Sequence, residues 1–384
     1  MHITTTTGRT FAFCRLFLLF SMLGLLFLGS QLPGRCQADT SAAPSATAAT
    51  DATPAPESLA TGENTTATGS STAVAKHGKA KKGDVAAAKK SAAKKTRLIS
   101  KTNAVVLGVV EGITEYLPVS STAHLLVTQH LLNIVGKNAD EKIKAKENEA
   151  IDAYTVIIQF GAILAVLLLF WGRVREVFAG FFGKNPAGAR LGINLIVALL
   201  PAAVIGALIE KRIDKLFDTW AMNAIILAWF IGGLIILFVA WGRRKALSTD
   251  GKTMADLTIG QALGIGVLQC FAMWPGVSRS LTTILGGLWV GLSMAAAVEF
   301  SFLLGLLTLT GATVLKLAKH HHVIHQYLGN TAPAIGIIFA GIAAFVAVKW
   351  MIGYLNKHGL GIFGYYRIAA AAGLLAMMAA SVIK

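Results

Sequence analysis

The sequence has little charge and little cysteine. Asp, Glu, Lys and Arg make up 14% of its 384 residues, whereas about 25% is usual in soluble domains. The three cysteines, Cys14, Cys36 and Cys270, lie far apart and show no metal-ligand spacing. These shortages argue against a soluble globular protein and against a disulfide-stapled or zinc-binding module.

Hydrophobic residues are abundant instead, at 54%, which is typical of an integral membrane protein. The net charge of +16 could suggest a nucleic-acid partner, but the residues up to Lys101 hold 13 basic and 5 acidic side chains. Half of the basic excess therefore belongs to an N-terminal tail. We predict no nucleic-acid partner, and a bilayer as the surroundings of the remainder.

The first hundred residues divide into two segments. Arg9 and Arg15 precede an apolar run over residues 16–32, which predicts a signal peptide over 1–38, with an uncleaved anchor as the alternative. Residues 39–101 are rich first in Ala, Thr and Pro and then in Lys. They lack the apolar surface needed to fold alone, so we predict a disordered extracytoplasmic tail.

Eight apolar segments follow, and two of them are interrupted. A helix needs about 20 apolar residues to cross a bilayer. Uninterrupted candidates are 151–171, 191–209, 222–241, 297–317, 333–352 and 365–383, and the interrupted ones are 104–132 and 257–292.

If each interrupted segment is re-entrant, each half crosses the membrane three times, and the halves are inverted repeats. We therefore predict an all-α polytopic membrane domain over 102–384. Its two inverted repeats, about 102–245 and about 257–384, each contain a re-entrant broken helix and three transmembrane spans.

Basic residues between the spans predict the orientation. Two predicted loops carry them, with two spans between: Arg173, Arg175, Lys184 and Arg190 in one, and Arg243, Arg244, Lys245 and Lys252 in the other. Both loops are expected in the cytoplasm. The first broken segment then opens to the extracytoplasmic side of the membrane.

The two broken segments align without a gap. Gly108 falls on Gly266, Ser120 on Ser278 and Ser121 on Arg279. Charged and polar groups inside a membrane are costly and are usually functional. The duplication therefore predicts a polar site built from both halves.

The first segment carries two carboxylates and a helix restart. Glu111 and Glu115 are four residues apart and share a helix face, so they repel unless a cation lies between them. Mg²⁺ or Ca²⁺ would suit such a pair. After the break at Pro118, Ser121 and His124 are three residues apart, which suits a hydroxyl nucleophile beside a base.

The second segment supplies a cation and further hydroxyl groups. Arg279 is flanked by Ser278 and Ser280, and Thr283 follows one turn later. The planar guanidinium matches phosphate oxygens. Glu299, on the following span, is an alternative partner for Arg279.

Both motifs resemble those of the undecaprenyl-diphosphate phosphatase family, also called BacA-type bacitracin-resistance proteins. The matching residues are Leu-Gly-x-x-Glu-Gly-x-Thr-Glu-aromatic-Leu-Pro-Val-Ser-Ser-Thr-x-His from Leu107 to His124, and Pro-Gly-x-Ser-Arg-Ser from Pro275 to Ser280. The resemblance runs from about Val105 to the C-terminus and leaves out the first hundred residues.

The resemblance implies a metal-dependent phosphatase that removes the terminal phosphate of undecaprenyl diphosphate. Such an activity recycles the lipid carrier for cell-wall synthesis and confers bacitracin resistance. It implies the following residue roles: Glu111 and Glu115 bind Mg²⁺ or Ca²⁺; Ser121, His124, Glu115 and Arg279 are catalytic; Ser120, Ser278, Arg279, Ser280 and Thr283 bind substrate.

Other interpretations stay open at this point. His124 or a water molecule is an alternative nucleophile to Ser121. Broken helices in inverted repeats also suit a polyprenyl-phosphate flippase or another secondary transporter. A membrane anchor that binds polyanions through the Lys-rich tail is a third class. We also consider a homodimer.

Overall fold

The computed structural model describes residues 98–134, 141–243 and 250–382. The predicted signal peptide and all but the last residues of the predicted tail lie outside these ranges. Leu98 and Ile99 already pack on the folded body, because the Leu98 amide donates to the Tyr327 carbonyl at 3.3 Å and Ile99 is buried.

The described part of the chain is helical and contains no named strand. Its helices are α1 (Lys101–Thr114), α2 (Ser121–Leu131), α3 (Glu141–Leu169), α4 (Trp171–Phe181), α5 (Pro186–Gly242), α6 (Ile259–Gln269), α7 (Arg279–Trp289), α8 (Met294–Tyr327), α9 (Thr331–His358) and α10 (Gly361–Ala379). Two short 3₁₀ turns cover Met254–Asp256 and Cys270–Met273.

Six helical stretches among the described residues are long and apolar enough to cross a membrane. They are Ile143–Leu169, Pro186–Ile209, Met222–Gly242, Met294–His320, Thr331–His358 and Gly361–Ala379. Each overlaps one of the six uninterrupted segments predicted from the sequence, so the described residues confirm an all-helical fold with six helical stretches long and apolar enough to cross a membrane.

Both predicted interruptions are present. The first lies between α1 and α2, and the second lies between the Cys270–Met273 turn and α7. Proline stands in each break, as Pro118 and Pro275, where the missing amide hydrogen and the ring disfavour a continuous helix. The polar residues of each segment therefore stand next to a helix start.

Glycines let the two broken segments pack closely on long spans. A Cβ atom on Gly108 of α1 would lie 2.6 Å from the carbonyl oxygen of Gly336 on α9. At the aligned position in α6, a Cβ atom on Gly266 would overlap the backbone of Ala198 on α5. Each broken segment thus packs against a span that belongs to the other predicted repeat.

The segment predicted to be a basic loop after the first span contains a helix instead. In α4, Arg173 and Arg175 lie close to the exposed aromatic side chains of Trp171 and Phe178. A count of apolar runs missed this helix because it is amphipathic and too short to cross a bilayer. Its exposed aromatic side chains are typical of a helix in the membrane interface.

Candidate active site

The two breaks meet inside the helical body. The hydroxyl group of Ser280 donates to the carbonyl of Leu117 at 2.9 Å. The indole of Trp229, on α5, donates to the carbonyl of Val119 at 3.0 Å. The polar residues that the sequence predicted in separate halves therefore surround one region.

One buried arginine connects both breaks. Arg367 of α10 donates to the carbonyl of Pro118 at 3.2 Å, to that of Gly276 at 2.9 Å and to that of Ala228 at 2.8 Å. Its side chain is fully buried. Arg367 was not among the site residues predicted from the sequence, although a lone cation in an apolar span is a recognised signal for function.

Two serines have the same unusual backbone conformation. Ser120, before α2, has φ 74° and ψ 100°, and Ser278, before α7, has φ 66° and ψ 115°. A positive φ is costly for any residue with a Cβ atom and often marks a functional site. Both helices therefore begin with the same backbone conformation, in the region where the breaks meet.

Glu115 is at the centre of the polar cluster. One of its carboxylate oxygens accepts a hydrogen bond from the Ser121 hydroxyl, and the other lies 3.3 Å from Nη2 of Arg279. The Arg279 guanidinium also donates to the carbonyl of Ser301 at 3.1 Å and lies 5.2 Å from the ring centre of Tyr116. The cluster joins three predicted catalytic residues from the two halves.

Glu111 lies one helical turn before Glu115, whose backbone amide donates to the Glu111 carbonyl at 2.9 Å. Glu111 is 1% exposed, and its Oε2 atom has no hydrogen-bond partner among the described residues. Two adjacent carboxyl groups with an unpartnered oxygen fit a divalent cation that also accepts phosphate oxygens. The described chain offers no group of three His, Cys, Asp or Glu side chains at one place, so protein carboxylates alone do not complete a coordination shell.

His124 forms hydrogen bonds away from Ser121. Its Nδ1 atom lies 2.7 Å from the carbonyl oxygen of Ser120, and its Nε2 atom lies 2.7 Å from the hydroxyl of Tyr366. A carbonyl only accepts, so Nδ1 carries a proton, and the neutral imidazole accepts from Tyr366 at Nε2. The ring packs between Tyr366 and Trp229, with centroid distances of 5.7 Å and 4.9 Å.

The hydroxyl groups of the second segment already have protein partners. Ser278 and Ser280 are 3.0 Å apart at their Oγ atoms. The Thr283 hydroxyl lies 2.6 Å from that of Ser301 and donates to the carbonyl of Arg279 at 3.0 Å. These contacts stabilise the start of α7, and direct binding of a substrate phosphate by these groups stays a prediction.

Glu299 is not the partner of Arg279. It accepts a hydrogen bond from Arg173 of α4 at 2.7 Å, and Glu176 accepts another at 2.9 Å. The hydrogen bond to Glu299 raises the pKa of Arg173 above its ordinary value, and the one to Glu176 adds to this effect. Arg279 is therefore left to Glu115, the Ser301 carbonyl and the Tyr116 ring.

Known proteins show similarity to this chain across most of the part that the structure describes. The family model described as bacitracin resistance protein BacA matches residues 104–373. An undecaprenyl-diphosphatase of Sorangium cellulosum is 38% identical over 274 residues, which are 71% of this chain and 85% of that protein.

Two further relatives match this chain over nearly their full lengths. Undecaprenyl-diphosphatase 2 of Rhodospirillum rubrum is 38% identical over 279 residues, 73% of this chain and 95% of the relative. An undecaprenyl-diphosphatase of Cereibacter sphaeroides is 39% identical over 279 residues, 72% of this chain and 96% of the relative. The range matched by the family model includes both breaks, the Glu115 cluster and Arg367. The chain belongs to the BacA bacitracin resistance family.

Proposed function

We propose that this protein hydrolyses undecaprenyl diphosphate to undecaprenyl phosphate and inorganic phosphate. The observation that carries the proposal is the buried contact of Glu115 with both Ser121 and Arg279. A hydroxyl, a proton acceptor and a phosphate-binding cation are the groups that phosphoryl transfer to an enzyme nucleophile needs. The names of the relatives supply the substrate.

Arg279 binds the terminal phosphate in this proposal. Its guanidinium contacts the Ser301 carbonyl and Glu115, and Arg279 itself is the first residue of α7. A planar guanidinium donates two parallel hydrogen bonds to phosphate oxygens. Ser120, Ser278, Ser280 and Thr283 are proposed to support this binding through the backbone and hydroxyl groups at the starts of α2 and α7.

Ser121 is the proposed nucleophile. Its oxygen attacks the terminal phosphorus, its proton passes to Glu115, and the bond from phosphorus to the bridging oxygen breaks, so undecaprenyl phosphate leaves. Water then hydrolyses the phosphoserine and releases phosphate. The existing hydrogen bond from Ser121 to Glu115 supports this assignment of the proton acceptor.

His124 is proposed to handle the proton of the attacking water. The Tyr366 hydroxyl can donate to neutral Nε2 and, after rotation, accept from protonated Nε2. Tyr366 therefore stabilises both protonation states of the imidazole. Turnover that survives the loss of Ser121 would indicate that His124 or a water molecule attacks the phosphorus instead.

Glu111 and Glu115 are proposed to hold Mg²⁺ or Ca²⁺. Such a cation, when bound, neutralises diphosphate oxygens and polarises the phosphorus. The unpartnered Glu111 oxygen supports this proposal.

The membrane arrangement proposed here is a pair of inverted repeats with the cleft open to the extracytoplasmic side. The matched breaks, the matched serine conformations and the crossed packing of α1 on α9 and α6 on α5 support the repeats. The apolar spans would hold the polyprenyl tail in the bilayer. A homodimer stays a prediction.

Phosphate release by the purified protein tests the proposed function. In detergent there are not two compartments, so a flippase or transporter would leave undecaprenyl diphosphate intact. We expect stoichiometric phosphate release with Mg²⁺ or Ca²⁺ and none from the Arg279→Ala variant. Intact substrate with the folded wild-type protein across both metals would reject hydrolysis.

A further inference from the structure

A polar cavity lies away from the cluster around Glu115. It has a volume of about 670 Å³ and is enclosed by the ends of α5 and α9 and the start of α10. Its polar lining is basic, and none of the described lining residues is Asp or Glu. We call it the basic pocket; its distinguishing side chains are Trp241, Arg243, Asn356, Lys357, His358 and Tyr365.

The basic pocket is separate from the candidate active site. Trp229 packs on the His124 ring, and Trp241 lines the pocket twelve positions later on α5. With a rise of about 1.5 Å per residue, the two tryptophans are about 18 Å apart along the helix. A ligand in the pocket would therefore not contact the proposed catalytic groups.

The charges of the pocket are only partly compensated. Arg243 is half-buried and donates to the backbone carbonyl of Asp250 at 3.3 Å. Burial lowers the pKa of Arg243, and the Asp250 carboxylate opposes that shift. Lys357 is exposed and forms no ion pair within the described ranges. The pocket therefore has a net positive charge, because the Asp250 carboxylate offsets only one of the two permanent cations, Arg243 and Lys357.

Helix ends account for part of this charge. Lys357 and His358 stand in the last turn of α9, where cations offset the partial negative charge of the helix end. The start of α10 has no such compensation. This helix has 19 residues, and no side chain caps its first amide groups. This uncapped start opens on the basic pocket and favours an anion.

The rim of the pocket is apolar and faces outward. Trp241 is 74% exposed, Tyr365 is 69% exposed and Phe238 is 41% exposed. Exposed tryptophan and tyrosine at the ends of spans are typical of the membrane interface. The pocket thus offers cations for a headgroup beside a surface for hydrocarbon.

We propose that the basic pocket binds the phosphate group of an anionic phospholipid, through Arg243, Lys357 and the first amide groups of α10. Free inorganic phosphate shares the headgroup chemistry but would not use the aromatic rim. The site is independent of hydrolysis at Ser121.

Lipid retention by the full-length protein tests the proposal. Delipidated protein in detergent is titrated with phosphatidylglycerol or phosphatidylcholine, and bound lipid is counted by native mass spectrometry. Arg243→Gln/Lys357→Gln removes the two permanent charges, and Lys357→Gln alone changes only an exposed side chain. Lys349→Gln, also exposed on α9, is the matched control.

We expect wild type and Lys349→Gln to retain one phosphatidylglycerol that the double variant binds roughly thirtyfold more weakly, from about 1 kcal/mol per interfacial cation. Phosphatidylcholine should bind more weakly than phosphatidylglycerol. Undecaprenyl diphosphate hydrolysis should stay unchanged in the double variant, which also shows that it is folded.

Inorganic phosphate distinguishes the two sources of the anion. The lipid proposal is wrong if the wild-type protein binds inorganic phosphate at one site more than the double variant does but retains no phosphatidylglycerol. The pocket would then be a site for free phosphate. Equal retention of phosphatidylglycerol by wild type, the double variant and Lys357→Gln would overturn the site itself.

Discussion

Arg279 and Glu115 form a buried ion pair across 164 residues of sequence, with Nη2 of the arginine 3.3 Å from Oε1 of the glutamate. Each residue stands next to one of the two breaks. Because the pair joins the halves, neither half contains a complete set of proposed catalytic groups. Changes that move Arg279 without removing it should therefore reduce activity while the fold is kept.

Gly305 of α8 provides such a change. A Cβ atom on Gly305 would overlap the Arg279 guanidinium, whereas one on Gly311 of the same helix meets no atom within 4 Å. We expect Gly305→Ala to displace the guanidinium and to lower phosphate release by roughly a hundredfold, since small misplacements of catalytic groups can cost that much. Gly311→Ala should be close to wild type in the same assay. Equal rates for the two variants would contradict the placement of Arg279.

Arg279→Lys should fail to restore activity. Lysine keeps the charge but cannot contact Glu115, Ser301 and a phosphate with one planar group. By analogy with lost oxyanion donors, the change should cost about 2 to 4 kcal/mol of transition-state stabilisation. Steady-state turnover is measured on matched amounts of folded protein. Turnover near that of wild type would rule out a bidentate role.

Tyr366→Phe should lower kcat more than it changes KM. The phenylalanine ring keeps the stacking on His124 but removes the hydroxyl that lies 2.7 Å from Nε2. We expect kcat to fall about tenfold or more, because acid-base catalysis contributes at least that much. Tyr365→Phe, at the neighbouring position outside the cluster, is the control. A normal kcat for Tyr366→Phe would remove Tyr366 from the proton-handling step.

Arg367→Met should destabilise the protein. Methionine keeps much of the volume but leaves the carbonyls of Pro118 and Gly276, which lie in the breaks, without the donor that Arg367 supplies. Each such loss costs about 1 to 3 kcal/mol, offset in part because the cation no longer has to be buried. The unfolding temperature in detergent should drop well below that of Arg175→Met, which changes an exposed residue of α4. Identical unfolding temperatures would mean that the breaks do not depend on Arg367.

The spans and the breaks could be predicted from the sequence because they depend on local composition. Runs of about 20 apolar residues fix the spans, and Pro118 and Pro275 fix the interruptions. The gapless alignment of Ser120 with Ser278 also predicted that polar groups from both halves would share one site. In the structure these serines have matching positive φ angles.

The contacts of individual side chains could not be predicted in the same way. Spacing on a helix suggested that Ser121 faces His124, but Ser121 is the first residue of α2 and its hydroxyl reaches back to Glu115. Tyr366 contacts His124 across 242 positions and Arg367 contacts Pro118 across 249, and only the fold brings them together. Arg367 could have been singled out as an intramembrane cation, but its three carbonyl partners could not.

Metal dependence measured in two variants tests the central claim most directly. Phosphate release from undecaprenyl diphosphate is followed across Mg²⁺ and Ca²⁺ concentrations, together with binding of a non-hydrolysable diphosphate, in Glu115→Gln and Ser121→Ala. Glu115→Gln should bind metal more weakly, because an amide is a poorer cation ligand than a carboxylate, and should turn over more slowly even at saturating metal, because an amide cannot accept the Ser121 proton. Ser121→Ala should release no phosphate while it still binds metal and the diphosphate. Unchanged metal dependence in Glu115→Gln together with substantial turnover in Ser121→Ala would contradict the proposed site.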